Sequence, residues 1–242
     1  MLTQNFGLNV NGESFFELAK SIPFKVIRKL QQEKMALEAL FMWQAGLLSP
    51  DLPSAYGIRL WKEFNFLKHK FALSSPPISM QFMRLRPDNF PTIRLAQLAG
   101  LYAFSQQIFA KILDRKILNT KWITKVGVSS YWTTHYTLGK ASRKRNKNIS
   151  SAFVDLLKVN TLIPLYFCYN KSQGKDPTAI VFDMMHEIKP EKNTIVEGFK
   201  ALGVEANNAL DTQSFLQLKK YYCQAKKCLL CPVGVHLLNH PT

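Results

Sequence analysis

Residues 91–113 constrain the fold more than any other part of this sequence. Apolar side chains such as Ile93 and Leu95 occupy almost every side of the helix that this segment predicts. Pro91 suits the first turn of that helix, and Asn89 suits its N-cap. A helix that is apolar all round is stable only when neighbouring elements bury it. The sequence therefore predicts a buried central helix in a helical domain.

Most of the remaining chain also follows helical patterns. Ser14 and Glu17 have the spacing of a capping box at a helix start. Pro23 stands at the start of a long predicted helix, and Gly46 marks its end. Further helices are expected near residues 53–73, 151–162, 176–187, 191–202 and 207–222. Residues 131–151 lack this periodicity and predict an extended segment or loop.

We therefore predict a mainly α-helical, compact domain with one extended, basic loop region and a Cys-rich C-terminal tail. A chain of 242 residues can form a single domain, and we expect residues 1–242 to do so. If it subdivides, the expected parts are a helical core (1–114), a basic loop region (115–154) and a helical C-terminal part with the tail (155–242).

The net charge of +16 is concentrated in the middle of the chain. Residues 64–154 contain fifteen Lys or Arg and only two acids, Asp88 and Asp114, whereas the segments on either side are nearly neutral. A solvated surface normally intersperses acids among its bases, and a dense cationic surface binds polyanions. The sequence therefore predicts nucleic acid or another polyanion as a partner.

The densest basic cluster lies in residues 140–147, just downstream of several aromatic residues. Cations neutralise phosphates and aromatic rings stack on bases, a combination that suits single-stranded or irregular nucleic acid. Arginines near the start of the central helix add candidate phosphate contacts. The predicted nucleic-acid-binding residues are Arg84, Arg86, Arg94, Trp132, Tyr136, Lys140, Arg143, Lys144, Arg145 and Lys147.

Each part of this predicted interface has a structural alternative. The aromatic residues could belong to the core, and the basic run could be a solvated loop. Arg84 and Arg86 could pair with Asp88 or cap buried carbonyls. An acidic protein, or an N-terminal part that this chain lacks, could equally be the polyanion that the basic run binds.

Three cysteines near the C-terminus, Cys223, Cys228 and Cys231, have the spacing C-x4-C-x2-C. The two-residue gap lets two thiolates reach one ion from a tight turn, so we predict a zinc or iron–sulfur site there. The candidates for a fourth ligand are His236, His240 and Cys168, of which His236 is nearest in sequence. The alternative is that these are ordinary thiols packed as small hydrophobes, as is expected of Cys168 in the core.

Several classes of protein are not indicated by the sequence. No stretch approaches the ~18 consecutive apolar residues of a membrane span, and the first residues lack a signal-peptide pattern. We expect a cytoplasmic protein with reduced thiols and no membrane partner. No phosphate-binding loop or hydrolase motif is present, so no catalytic residue is predicted.

Four stretches of the chain together resemble a known family. They are residues 84–99, 6–23, 38–46 and 222–231. The first, which begins Arg-Leu-Arg-Pro-Asp-Asn-Phe-Pro, is similar to the signature of the family catalogued as domain of unknown function 2851. The resemblance implies that this chain corresponds to the C-terminal part of longer proteins, whose N-terminal part holds acidic and histidine residues of an active site. It assigns no activity to the chain.

The cysteine-rich tail is also weakly similar to the iron–sulfur loop of endonuclease-III-like DNA glycosylases. In both, a helix runs into a tail that ends in Cys-Pro, here Cys231 and Pro232. The first gap between cysteines is shorter in this chain, and the fourth cysteine is absent. The similarity therefore transfers no glycosylase activity.

These patterns lead to three functional hypotheses. The first is a nucleic-acid-binding or polyanion-binding module without a catalytic site of its own. The second is a structural or assembly domain that docks a partner protein or an N-terminal catalytic part. The third is a DNA-repair-like enzyme that carries a metal cluster.

Overall fold

The computed structural model describes residues 1–114 and 116–240, and it is mainly α-helical as predicted. No β-strand is assigned among these residues, and His135 and Ala141 form an isolated antiparallel bridge. The chain forms two compact units, Met1–Leu162 and a second that begins at Ile163. The boundaries expected at residues 114 and 154 do not coincide with this division.

The first unit is built mainly from helices joined by short turns. Its α-helices are α1 (Leu2–Phe6), α2 (Leu8–Ser21), α3 (Phe24–Lys29), α4 (Lys34–Gln44), α5 (Ala55–Phe71), α6 (Pro91–Phe104), α7 (Ile108–Leu113), α8 (Lys121–Thr124) and α9 (Ser151–Leu157). Its shorter turns are the 3₁₀ segments Pro87–Asn89 and Ser130–Thr133 and the π-helical segment Lys158–Leu162.

Helix α6 is the buried central helix that the sequence predicts. Every residue from Pro91 to Leu101 is buried, including the polar residues of that stretch. Helix α6 packs against α4, which in turn packs against α5. Trp43 of α4 stacks on Phe64 of α5 with ring centroids 4.4 Å apart. Helix α1 also contacts α6, and apolar burial against α4 and α1 thus accounts for the apolar surface of α6.

Two helices that were expected to be long are each interrupted. The helix that starts after Pro23 ends at Lys29, and α4 begins after a turn in which Gln32 has φ of 76°. The central helix ends at Phe104, and α7 follows a turn in which Gln107 has φ of 52°. A left-handed residue cannot continue an α-helix, so each turn separates two helices.

The expected helix start at Ser14 was wrong, because α2 runs through that position. The expected N-cap at Asn89 was also wrong. Phe90 holds that position, and the Asn89 side chain accepts a hydrogen bond from Arg94 instead. The helix expected near residues 53–73 is confirmed as α5. The Ser54 hydroxyl accepts a hydrogen bond from the Gly57 amide at its start, and left-handed Ala72 ends it.

The second unit contains α10 (Ile163–Ser172), α11 (Thr178–Glu187), α12 (Thr194–Ala201), α13 (Ala209–Leu218) and α14 (Pro232–Asn239). Side chains of Asn193 and Asn208 cap α12 and α13, because each accepts backbone N–H groups of the first turn. Cys168 was expected in the core. It is exposed on α10, since it falls on the face opposite the buried Tyr166.

The helical stretch Ser151–Ser172 has the length and mean hydropathy, 1.3, of a membrane span, and it is the single such stretch among residues 1–114 and 116–240. It also contains an ion pair, with Lys158 Nζ 2.9 Å from Asp155 Oδ1. Core helices of soluble proteins pass the same test of length and composition, so this stretch assigns no membrane location.

We expect Gly100→Ala in α6 to lower the free energy of unfolding by about 1–3 kcal/mol through overpacking. A Cβ atom at Gly100 would lie 2.8 Å from the carbonyl oxygen of Gly127 and 2.9 Å from Cγ1 of Val126. The control is Gly198→Ala in α12, where no atom lies within 4 Å and helix propensity favours alanine by up to about 1 kcal/mol. Urea denaturation measures both. Equal effects of the two changes would contradict the close packing of α6.

Candidate nucleic-acid interface

Two basic segments that are far apart in sequence converge on Tyr136. The Tyr136 hydroxyl donates a hydrogen bond to Asp88 Oδ1 at 2.9 Å, and the Thr92 hydroxyl donates to the Tyr136 carbonyl. Partial burial and the Asp88 carboxylate raise the pKa of Tyr136, whereas the nearby Arg145 opposes the rise. Tyr136 therefore joins the segment around Asp88 to the segment around Arg145.

Backbone hydrogen bonds hold the loop that carries the second basic segment. The Ser142 amide donates to the Thr134 carbonyl at 2.7 Å, and the Arg145 amide donates to the Thr133 carbonyl at 2.9 Å. Residues 133–145 thus form a tied irregular loop, consistent with the loop that the sequence predicts. A tied loop presents its side chains in a fixed arrangement and loses less conformational entropy on binding.

The cations of the two segments are divided between exposed and buried positions. The exposed ones are Arg84, Arg86, Lys140, Arg143, Lys144 and Arg145. None of them takes part in an ion pair with another described residue. The pairing of Arg84 or Arg86 with Asp88 that was considered from the sequence is therefore not seen. These six side chains form what we call the basic surface.

Arg94 was predicted as a nucleic-acid contact, but it lies inside the first unit and is only 7% exposed. Its Nη1 donates to Gln97 Oε1 at 2.8 Å, and its Nη2 donates to Asn89 Oδ1 at 2.6 Å. Its guanidinium lies 3.6 Å from the ring centroid of Phe153. Burial lowers the pKa of Arg94 to about 10. Arg94 is thus a structural residue of α6, removed from the basic surface.

Lys147 and Trp132 were also predicted as contacts, and both are buried. Lys147 Nζ donates to the carbonyls of Trp132 at 2.7 Å and His135 at 2.9 Å, and it lies 3.8 Å from the ring centroid of Tyr136. Burial lowers the pKa of Lys147. The ammonium group therefore holds the loop through internal hydrogen bonds and is not accessible to a ligand.

Glu38 of α4 is the central site residue that the sequence analysis missed. Its carboxylate is fully buried, and it accepts hydrogen bonds from the Tyr56 hydroxyl at 2.7 Å, the Ser129 hydroxyl at 2.8 Å and the Trp132 indole. Burial raises the pKa of Glu38, although all three donors and Lys34 oppose the rise. The sequence signal for this residue is an acid that lies among apolar residues of a helix.

The buried polar groups form one connected network. The chain of hydrogen bonds runs from Glu38 through Trp132 to Lys147, whose carbonyl accepts from Gln97 Nε2 at 2.8 Å. Gln97 in turn accepts from Arg94. We call this set the buried network, and it joins α4, α6 and the loop beneath the basic surface. Buried polar groups stabilise a fold only when they have such partners.

The four predicted metal ligands are placed in the tail of the second unit. Cys231 is buried and precedes α14, whereas Cys223 and Cys228 are exposed. His236 contacts a histidine one turn later, His240, with ring centroids 4.7 Å apart. Among residues 1–114 and 116–240, no three His, Cys, Asp or Glu side chains converge as a metal site would require. The metal site stays a prediction from the sequence.

We expect Glu38→Ala to lower the free energy of unfolding by about 3–5 kcal/mol, because it leaves one buried donor, Trp132, and two partly buried donors without an acceptor. Glu38→Gln is the matched control, since it keeps an acceptor for Tyr56 and Trp132 and costs less. Urea denaturation at pH 7 compares them. A similar loss from both changes would contradict the carboxylate's role as an acceptor.

The same variants test the titration of Glu38. Its raised pKa means that the folded state holds the proton more tightly than the unfolded state. The contribution of Glu38 to the free energy of unfolding should therefore fall as pH rises from about 4.5 through the folded-state pKa. The difference in free energy of unfolding between the wild type and Glu38→Gln should show this fall. A difference that does not depend on pH would contradict it.

Comparison with known proteins identifies a family without a known activity. A family described as protein of unknown function (DUF2851) matches residues 1–194, which include the buried network and the basic surface. The cysteine-rich tail lies beyond the matched residues, although the sequence resemblance had included it. No curated protein and no solved structure matches the chain. The match covers most of the 242 residues, and the chain therefore belongs to the DUF2851 family.

Proposed function

We propose that the first unit binds single-stranded or irregular nucleic acid through the basic surface. One observation carries the proposal: the hydrogen bond from Tyr136 to Asp88 joins two distant segments, which together expose six cations and contain the single acid Asp88. Asp88 already accepts the hydrogen bond of Tyr136, so part of its charge is engaged. The surface consequently offers several cations to a phosphate backbone.

The residue types of the basic surface suit phosphate groups. Arg84, Arg86, Arg143 and Arg145 each carry a planar guanidinium that can hold a phosphate with two parallel hydrogen bonds. Arg84 also has a left-handed backbone, with φ of 62°, which is rare for a residue other than glycine. Such backbone strain is found at binding sites, where the surrounding fold holds it.

Aromatic rings beside the cations supply a second element of the proposed interface. Tyr136 is half-buried, and its ring lies edge-on to Phe90, which in turn contacts Phe82 with ring centroids 5.2 Å apart. A partly exposed ring next to cations can stack on unpaired bases, and this favours single strands over duplexes. The proposed activity is binding, with no reaction assigned to these residues.

We expect the triple change Arg143→Ala, Lys144→Ala and Arg145→Ala to weaken binding of a labelled single-stranded oligonucleotide. The loss of three phosphate contacts should reduce the slope of log K against log salt concentration by about 2, which is on the order of 100-fold in affinity at about 0.1 M salt. Fluorescence anisotropy over a salt series measures both quantities.

The matched control removes three exposed lysines of the second unit, Lys189, Lys192 and Lys219. It lowers the net charge of the protein equally, so it should leave the salt slope nearly unchanged. Equal losses from the two triple variants would show that only total charge matters, and the proposed interface would then be wrong.

A second candidate function, docking of a partner protein, is favoured by the tail of the second unit. Helix α14 has no buried residue, and its apolar side chains Val233, Leu237 and Leu238 are more than half exposed. The preceding Leu230 is 71% exposed. A run of exposed apolar side chains on and before a helix is typical of a segment that another protein covers.

We expect the double change Leu237→Gln and Leu238→Gln to abolish co-purification of a partner that resists nuclease treatment. The stability of the folded protein should not change, because both side chains are exposed. The triple variant of the basic surface serves as the control and should retain the partner. A partner that nuclease releases, or that the double variant retains, would contradict docking through α14.

A further inference from the structure

An open cavity of about 370 Å³ lies in the first unit, among α3, the end of α6 and α7. Its volume falls in the range of small-molecule sites, roughly 300–1,000 Å³. It belongs neither to the buried network nor to the basic surface, and none of its lining residues was singled out from the sequence. Its walls combine aromatic rings, side-chain amides and one arginine, a mixture that points to a particular class of ligand.

Two of the aromatic side chains that line the cavity are unusually exposed to solvent. Phe24 of α3 is 58% exposed and Phe109 of α7 is 56% exposed. Tyr102 of α6 lies between these two helices in the lining, with its ring 6.4 Å from that of Phe24 and steeply inclined to it. Phenylalanine is among the residues most often buried, so Phe24, exposed at this cavity, offers a stacking face to a planar group.

The polar groups of the cavity match the edge of a planar heterocycle with an attached anion. Gln31, Gln106 and Gln107 line it, and no hydrogen bond between described residues uses their side-chain amides. Each amide provides both donors and an acceptor, as the edges of nucleobases require. Arg28 is the charged residue of the lining, and it forms no ion pair with a described residue. A guanidinium there suits a phosphate.

Gln107 is held in a strained conformation at this cavity. It has φ of 52° and ψ of 41°, and it precedes α7 without capping that helix through its side chain. Glycine would relieve the strain, and asparagine or serine would cap the helix. Neither preference accounts for a glutamine at this position. A side-chain amide that contacts a ligand would account for it. Strained residues cluster at binding sites for this reason.

A second cavity of about 140 Å³ shares Phe24 and Tyr102 with the first. Its other walls are almost entirely apolar, with Leu18, Ile27 and Leu98 among them. The aromatic wall of the outer cavity therefore has empty apolar space behind it.

We propose that this cavity holds one unstacked nucleobase together with its phosphate, either as a free mononucleotide or as one residue of a single strand. The base stacks against Phe24, the glutamine amides contact its edge, and Arg28 holds the phosphate. The inference deepens the proposed nucleic-acid binding and rests on it for the single-strand source. The free mononucleotide does not depend on the basic surface.

The experiment uses two probes that carry 2-aminopurine, a base whose fluorescence is quenched by stacking. One is the 2-aminopurine nucleoside 5′-monophosphate, and the other is a single-stranded oligonucleotide with one 2-aminopurine. Phe24→Ala should weaken binding of the mononucleotide by about 10- to 100-fold and abolish quenching, because one stacking face is lost. Phe66→Ala is the matched control, since Phe66 is also 58% exposed but lies on α5 outside the cavity.

A second variant separates binding from folding. Gln107→Gly removes the amide at a backbone conformation that glycine adopts readily, so the melting temperature should not fall. Binding of the mononucleotide should still weaken, by about 5- to 10-fold for one lost hydrogen bond. Equal affinity of wild type and both cavity variants for the mononucleotide would overturn the proposal.

The two probes also separate this inference from the proposed function. Oligonucleotide binding that depends on the basic surface, without quenching and without an effect of Phe24→Ala, would refute the nucleobase site and leave the proposed function intact. Mononucleotide binding that Phe24→Ala weakens, with no oligonucleotide binding, would support the site and refute the proposed function. No binding of either probe would refute both.

Discussion

The buried carboxylate of Glu38 holds together parts of the first unit that could not otherwise pack. Its three donors come from α5 and from the loop after residue 128, through Tyr56, Ser129 and Trp132. Burying a carboxylate is costly unless hydrogen bonds compensate it, and buried donors are equally costly without an acceptor. The Glu38 carboxylate and its three donors are therefore stable in this environment only together. An irregular loop that makes few regular backbone hydrogen bonds is fixed on two helices in this way.

The buried network also decides what the basic segments can do. Arg94 donates from both terminal nitrogens to side-chain amide oxygens, and Lys147 donates to two carbonyls, so both charges are used inside the first unit, although Arg94 Nε has no hydrogen-bond partner among the described residues. The cations left outside come from two segments that meet at Tyr136, and their side chains face solvent. The buried Lys147 thus helps to fix the loop that carries four of the exposed cations. The proposed interface depends on this division, since a free loop would lose more entropy on binding.

The sequence predicted the helical class and the buried central helix well, and it placed several residues wrongly. Helix α6 was recognised because its apolar side chains leave no polar face. The turns at Gln32 and Gln107 were missed because neither is glycine or proline, the usual signals of a break. Arg94 was predicted as a phosphate contact because it lies near the start of the central helix, where anions bind. Within an all-apolar helix the same residue indicates a buried, paired charge.

The sequence by itself determined the helical fold class, where the charge is dense and which helix must be buried. These properties follow from local periodicity and composition, which neighbouring residues carry without reference to the rest of the chain. Only the tertiary structure decided that Glu38 accepts from Trp132, 94 positions away, and that Tyr136 reaches Asp88 across 48 positions. It alone also brought Arg28 and Gln107 to one cavity. Such partners depend on how helices pack, and no local pattern records which distant residue will complete a hydrogen bond.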